Sequence, residues 1–162
     1  MAAAPSPARA ASSGQSTPAL AGPEPRTTGL APVPRPRAIL AVSAHWYVPG
    51  TFTTSAARPE TIHDFGGFPD ELYRIEYPAP GDPALARRAA ELIGSRAALS
   101  AEWGLDHGTW SVLVHLLPAA DGPVVQLSLD GRLPPAEHLA IGRVLRPLRE
   151  EGVLVLASGN VV

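Results

Sequence analysis

The sequence contains neither cysteine nor lysine among its 162 residues. Without cysteine, a disulfide, a zinc–thiolate site and a cysteine nucleophile are all excluded. The 13 basic residues are therefore all arginine, and the formal net charge of −2 gives no general attraction to nucleic acid or to an anionic membrane. No apolar run approaches the roughly 18 residues of a membrane span. We expect a cytoplasmic protein without nucleic-acid or membrane partners.

Residues 1–34 contain little that could form a packed core. Eight of the 19 prolines lie within the first 36 residues, among alanine, serine, threonine and glycine. Such a segment buries too little apolar surface to offset the entropy lost on ordering. It also lacks the continuous apolar region of a secretory signal, and its prolines oppose an amphipathic helix. We predict a disordered leader over 1–34, or a misplaced start, followed by one domain over 35–162.

The most informative stretch is Ala38–Tyr47, which reads AILAVSAHWY. An unbroken run of small and β-branched apolar residues, bounded by prolines, is typical of a strand that is buried on both faces. Open α/β sheets bind ligands just beyond the carboxyl ends of their strands. His45 is therefore a candidate ligand-binding residue, and the alternative is a histidine that caps the strand and forms only local hydrogen bonds.

The rest of the chain alternates between strand and helix patterns. Strands are predicted at 51–54, 72–77, 124–129 and 153–157, the last of them buried. Helices are predicted at 83–93, 108–117 and 135–150, with Asp82 and Asp106 as the first two N-caps and Pro147 as a break in the third. Alternation at these spacings predicts an α/β fold with a mostly parallel central sheet flanked by helices. The expected apolar positions of the last helix are Leu139, Val144, Leu145 and Leu148.

Three polar residues stand at positions that favour chemistry. His63 and Asp64 form a titratable pair in a long loop over 58–69, and long loops inside compact domains are often functional. His107 is placed at a helix N-terminus, where the dipole favours a neutral ring that can act as a base or a ligand. The alternatives are an ordinary surface loop and a structural histidine packed beside Trp103. His115 is predicted to be structural or exposed, and His138 to be exposed.

Several long motifs in a fixed order carry a family resemblance. They are SAHWY at 43–47, TIHDFGGFP at 61–69, YPAPGDPALA at 77–86, WGLDHGTWSVL at 103–113, PVVQLSLDG at 123–131 and LREEGVLVLASGNVV at 148–162. In these motifs the chain resembles the DODA-type extradiol aromatic ring-opening dioxygenases, which include DOPA 4,5-dioxygenase-like proteins and are related to protocatechuate 4,5-dioxygenase. The resemblance covers about residues 34–162.

The resemblance implies an α/β domain that opens catechol rings with O₂ and a non-haem metal, Fe(2+) or Zn(2+). It implies that His45 is a metal ligand and that His107 is the catalytic residue, in substrate contact or proton transfer. It also implies that His63 and Asp64 line the pocket of the small-molecule catechol. Such a metal needs open positions for a bidentate catecholate and O₂.

The resemblance is incomplete at both ends. The family's first strand ends in a Gly-His-Gly-Ser-Pro-like motif, whereas residues 1–34 contain no histidine. The family also continues from GNVV into a His-Asn pair and a C-terminal portion with a further ligand. We therefore expect a domain truncated at both ends, in which His45 is the one remaining ligand unless His63 or His107 substitutes, and an isolated chain that is inactive.

Other hypotheses follow from the absence of these two ends of the family pattern. A domain without its ends leaves apolar surface uncovered, which predicts self-association. The chain would then be a non-catalytic degenerate domain that binds an aromatic ligand or a partner chain. A metallohydrolase on a similar α/β scaffold is a weaker alternative, because it also needs a complete ligand set.

Overall fold

The computed structural model describes residues 35–159. The predicted leader over 1–34 lies outside these residues. In chain order the elements are β1 (Ala38–Val48), β2 (Thr51–Thr54), a 3-10 turn (Leu72–Arg74), α1 (Pro83–Ile93), β3 (Ala97–Ser100), α2 (His107–Leu116), β4 (Val124–Asp130), α3 (Pro135–Val144), α4 (Pro147–Glu150) and β5 (Val153–Ser158). None of the described helices is both long and apolar enough to cross a membrane.

The five strands form one sheet in the order β3-β2-β4-β1-β5. Strand β1 is parallel to both β4 and β5, and β2 is parallel to β3. The pairing of β2 with β4, at Thr53 and Leu127, is antiparallel. The predicted α/β fold with a mostly parallel sheet is confirmed. The buried strand predicted within Ala38–Tyr47 is also confirmed, since Ala38, Ile39 and Leu40 of β1 are fully buried.

Successive side chains of β1 supply the cores on the two faces of the sheet. Leu40 belongs to a cluster with Leu85 of α1 and Leu145, next to α4. Its neighbour Ile39 belongs to a second cluster with Trp110 and Leu113 of α2. This alternation follows from the two-residue period of a strand. It places α2 on the face opposite α1 and α3.

The predicted helix starts are confirmed by their caps. The Asp82 carboxylate accepts hydrogen bonds from the backbone N–H groups of Ala84 and Leu85. The Asp106 carboxylate accepts one from Thr109. Side-chain caps of this kind satisfy donors that the first helical turn leaves unpaired. The last helix is also interrupted before Pro147, as predicted.

The predicted strand over 72–77 is wrong. Leu72 donates its backbone N–H to the carbonyl of Pro69, which curls the chain into a 3-10 turn. Tyr77 then donates its backbone N–H to the Thr61 hydroxyl rather than to a strand. Strand β3 was not predicted, because two alanines within four residues give a weak strand pattern.

The last helix and the last strand are less buried than predicted. Leu139 and Val144 are 58% and 41% exposed, because the buried stripe runs through Ile141, Leu145 and Leu148 instead. Their spacing of four and three residues defines one helix face, from which Leu139 and Val144 point away.

Only Val153 of β5 is fully buried, so the prediction of a buried strand is wrong there. The reason is that β5 lies at the edge of the sheet and pairs with β1 alone in the described part of the chain. His138, predicted to be exposed, is half-buried with Nε2 3.2 Å from the carbonyl oxygen of Asp130. His115 is exposed, which is one of the two outcomes predicted for it.

Candidate active site

Three side chains from distant parts of the sequence meet at one end of β1. They are His45 of β1, Asp64 of the loop before α1, and His107, the first residue of α2. Their potential ligand atoms all lie within 4.8 Å of one another. The two imidazole rings are 3.9 Å apart between centroids and tilted by 47°. Within residues 35–159 this is the one cluster of three or more such side chains that could hold a metal ion.

An irregularity in β1 presents His45. The register between β1 and β4 shifts between Val42 and Tyr47, so the intervening residues leave the regular ladder. Irregularities of this kind redirect side chains and recur beside active sites. Ser43 remains buried and accepts a hydrogen bond from the backbone N–H of His45. His45 itself is exposed.

The N-terminus of α2 approaches β1 closely because its second residue is Gly108. A Cβ at this position would lie 2.4 Å from the Ser43 hydroxyl oxygen and 2.7 Å from Cδ2 of His45. Any other residue type would force these groups apart. Gly108 therefore allows His107 and His45 to share one site.

Asp64 holds His107 through a single oxygen. Asp64 Oδ1 accepts one hydrogen bond from the backbone N–H of His107 and a second from its ring Nδ1, each at 2.9 Å. In a neutral ring this contact places the proton on Nδ1 and leaves the lone pair on Nε2 free. The two side chains are 18% and 27% exposed, so solvent reaches both only partly.

The electrostatics of the pair favour an ionised carboxylate. Burial raises the pKa of Asp64, but the hydrogen bonds from the backbone and ring of His107 outweigh it, and the net pKa is lowered. The N-terminus of α2 adds a favourable dipole for a negative charge. Asp64 therefore pairs with His107 and not with its sequence neighbour His63. The ring of His107 packs against His45 and Phe65, whereas Trp103, the packing partner in the structural alternative, stacks on Trp46 at 5.5 Å.

His63 lies apart from this cluster. Its Nε2 is 3.0 Å from the carbonyl oxygen of Ile75, and its ring packs near Phe65 and Trp110. Trp110 in turn donates its indole N–H to the carbonyl of Ile62. His63 therefore helps to fix the loop against α2.

An apolar pocket of about 190 Å³ adjoins the cluster. The ring of His107 belongs to its wall and meets Phe65 edge-on, with centroids 5.3 Å apart. Phe68 and Trp110 contribute further aromatic walls. Sequence reasoning did not assign these aromatic residues to the site. The signal available was the pair of phenylalanines that flank Gly66 and Gly67.

The site combines a cluster of possible metal ligands with an adjoining aromatic pocket. Two imidazoles and a carboxylate are the donor types found at non-haem iron sites. The adjoining pocket offers aromatic edges and faces to a flat apolar ring. A ligand that combines an aromatic ring with oxygen donors would satisfy both.

Comparison with known proteins gives a consistent result. The family model described as "Catalytic LigB subunit of aromatic ring-opening dioxygenase" matches residues 19–162. The chain is 54% identical over 132 residues to "4,5-DOPA dioxygenase extradiol" of Escherichia coli (strain K12), covering 80% of this chain and 49% of that protein. It is 42% identical over 130 residues to a protein of the same name from Beta vulgaris, covering 78% of this chain and 48% of that one.

A solved structure shows the same fold. The crystal structure of uncharacterized protein JW3007 from Escherichia coli K12 matches with a TM-score of 0.67 and 47% identity. The match covers 80% of this chain and 49% of that chain. The chain thus spans about half the length of the curated relatives and of the structure that it matches.

Proposed function

Because this chain belongs to the family of catalytic LigB subunits of aromatic ring-opening dioxygenases, we propose that it carries part of the active site of an extradiol dioxygenase. The substrate class is a small-molecule catechol, and the co-substrate is O₂. The relatives named 4,5-DOPA dioxygenase extradiol suggest DOPA as the first catechol to test.

Dioxygenases of this family are non-haem metal enzymes, and the donor set of the site fits such a metal. We assign His45 as the ligand of Fe(II) or Zn(II). The carboxylate of Asp64 is the neighbouring donor that can support its coordination, whereas the ring Nε2 of His107 is kept for proton transfer. When bound, the metal supplies Lewis acidity and open positions for the oxygens of the catechol and for O₂.

We assign proton transfer to His107. With its Nδ1–H donated to Asp64, the free Nε2 can accept a proton from a catechol hydroxyl group. The ionised Asp64 then stabilises the imidazolium that forms. The same hydrogen bond fixes the orientation of the ring, so Asp64 acts as a positioning residue.

The aromatic pocket is assigned to the substrate ring. Phe65, Phe68 and Trp110 can surround an aromatic ring by edge and face contacts. His107 belongs both to this pocket and to the polar cluster, so a catechol seated here presents its hydroxyl groups towards Nε2 and the metal position. This shared position is the observation that carries the proposal.

The test uses the purified 162-residue chain, which is loaded with Fe(II) under anaerobic conditions. 4-Nitrocatechol is added as a coloured probe, and its visible spectrum reports ionisation on binding. We expect saturable binding that His45→Ala abolishes and that His138→Ala, outside the aromatic pocket, preserves. Failure to bind, or equal binding by the His45→Ala variant, would contradict the proposal.

Admission of air separates catalysis from binding. Ring opening is followed by O₂ uptake and by the absorbance of the product from DOPA. The inactivity expected of the isolated chain stays a prediction, and turnover would show it to be wrong. Binding without turnover would favour the second candidate, a non-catalytic domain that binds an aromatic ligand, for which the aromatic pocket is the supporting observation.

A further inference from the structure

A glutamine lies in the middle of the apolar strand β4, where it is completely buried. Gln126 is 0% exposed, and its neighbours Val125 and Leu127 belong to the core on the α1 side of the sheet. Val124, two positions before it, belongs to the core on the α2 side. Because side chains alternate along a strand, Gln126 also points towards α2. A buried amide costs free energy unless its polar atoms are hydrogen-bonded.

The side chain of Gln126 holds the N-terminus of α2 at two points. Its Oε1 accepts a hydrogen bond from the backbone N–H of Asp106 at 3.3 Å and a second from the Thr109 hydroxyl at 2.9 Å. Its Nε2 donates to the Asp106 carboxylate, whose other oxygen caps the backbone N–H of Thr109. Asp106 and Thr109 are only 0% and 1% exposed. The network is therefore shielded from water, where hydrogen bonds are electrostatically stronger.

His107 immediately follows Asp106 in the turn that this network anchors. The backbone N–H of Gln126 donates to the Thr54 hydroxyl at 2.8 Å, so the anchor is itself bonded to β2. On its other side, the same turn packs against β1 through Gly108. The central strands therefore set the position of the first turn of α2, and with it the position of the His107 ring.

We propose that Gln126 is a positioning residue for His107, because its buried amide fixes the first turn of α2 so that the ring keeps its hydrogen bond to Asp64. Gln126 does not line the aromatic pocket and acts only through the helix. The catalytic consequence rests on the proposed role of His107 in proton transfer. The orientation of the ring does not, since it is measured without metal or substrate.

The direction of the amide explains why glutamine suits this position. The backbone N–H of Asp106 can only donate, and the Asp106 carboxylate accepts. An amide offers an oxygen to the first and an N–H to the second. Methionine has a similar length and fills the space but can do neither. Glutamate matches both partners only while its carboxyl group is protonated, because the O–H then replaces the N–H as donor.

The experiment follows the His107 ring in the metal-free 162-residue chain by nitrogen NMR. Ring nitrogen shifts distinguish the Nδ1–H tautomer from the Nε2–H tautomer, and the signals of His107 are identified by their loss in His107→Ala. We expect the neutral ring of the wild-type chain to be the Nδ1–H tautomer. Gln126→Met should replace it by a mixture of both tautomers. The reason is that Asp106 is left with unpaired buried groups, which loosen the turn.

Gln126→Glu separates positioning from packing. Asp106 is the titratable side chain that the Gln126 amide contacts, so this variant places two carboxyl groups side by side in a buried site. One of the two is expected to hold a proton, since a like charge and burial both disfavour a second ionisation. While the proton remains, the wild-type tautomer should return. As the pH is raised and the proton is lost, the preference should disappear, whereas the wild-type chain keeps it.

Thr53→Val is the matched control. Thr53 of β2 is 0% exposed, and its hydroxyl donates to the carbonyl oxygen of Ala86 at 3.1 Å. Valine therefore also removes a buried hydrogen bond, but on the α1 side of the sheet. We expect lower thermal stability with an unchanged His107 tautomer. In the anaerobic Fe(II)-loaded chain, Gln126→Met should weaken binding of 4-nitrocatechol about tenfold or more, and Thr53→Val should not.

The NMR outcomes decide the positioning role. It is overturned if Gln126→Met keeps the wild-type tautomer, if Thr53→Val changes it equally, or if Gln126→Glu fails to regain it at any pH. Should Gln126→Met not fold, the pH dependence of Gln126→Glu decides alone. A wild-type chain that does not bind 4-nitrocatechol would contradict the proposed function, whereas a tautomer change in Gln126→Met would still support the positioning of His107.

Discussion

Replacement of Gly108 by alanine tests whether close packing builds the site. The added Cβ would lie 2.4 Å from the Ser43 hydroxyl oxygen and 2.7 Å from Cδ2 of His45, both far inside van der Waals contact. One of these groups must move, and His45 lies on the exposed side. Gly142→Ala in α3 is the matched control, because a Cβ there meets nothing within 4 Å.

The magnitudes follow from two opposing effects. Alanine in place of glycine within a helix stabilises by about 0.5–1 kcal/mol. The Gly142→Ala variant should therefore gain up to about 1 kcal/mol in its free energy of unfolding. At Gly108 the same gain is set against an overpacking cost of about 1–3 kcal/mol. The Gly108→Ala variant should thus be less stable than the control variant by roughly 1–3 kcal/mol.

Two measurements check this reasoning. Urea denaturation gives the free energy of unfolding of both variants, and calorimetric titration with Co(II) gives the affinity of the proposed metal site. We expect Gly108→Ala to weaken Co(II) binding and Gly142→Ala to leave it unchanged. The reasoning is refuted if Gly108→Ala stabilises as much as Gly142→Ala and binds Co(II) with wild-type affinity.

Three further predictions concern single interactions. The pKa of Asp64 is lowered on folding from its ordinary value of 3.8. The ionised carboxylate therefore stabilises the fold above that value, and this stabilisation is lost as the pH falls through the folded pKa. Asp64→Asn should flatten this acid limb of a plot of unfolding free energy against pH. Hydrogen bonds from the Arg132 side chain hold the pKa of Asp130 at about 2, and Arg132→Ala should move it upward towards 3.8 in an NMR titration; an unchanged value would exclude this cause. Asp82→Ala removes the cap of α1 and should cost about 1 kcal/mol of unfolding free energy, whereas Glu91→Ala on the exposed face should cost little; equal effects would contradict the capping role.

Local signals explain what the sequence predicted well. The apolar run of β1 and the caps Asp82 and Asp106 each depend on residues a few positions apart. The placement of His45 at the end of β1 and of His107 at the start of α2 followed from the same signals. Predictions of this kind hold because the decisive contacts lie within one element.

Contacts between distant segments explain what the sequence did not predict. Asp64 and His107 are 43 positions apart, and nothing in the loop sequence distinguishes Asp64 as a partner of His107 from Asp64 as a partner of His63. The edge position of β5 depends on the strand order, which local patterns do not encode. Burial of Leu139 was overestimated for a related reason, since the face of α3 that is buried depends on how the helix packs against the sheet.

The two hydrogen bonds that end on one oxygen of Asp64 have a consequence for motion. If the loop around Asp64 swings away, the backbone N–H of His107 loses its acceptor and the ring of His107 loses the restraint on its Nδ1 proton in the same event. The position of the loop and the protonation site of the His107 ring are then governed by one equilibrium rather than two. An amide at position 64 keeps an oxygen that can accept both bonds, so it would preserve this linkage while removing the charge. Loop closure would therefore satisfy the first N–H of α2 and fix the proton of the His107 ring through a single oxygen atom.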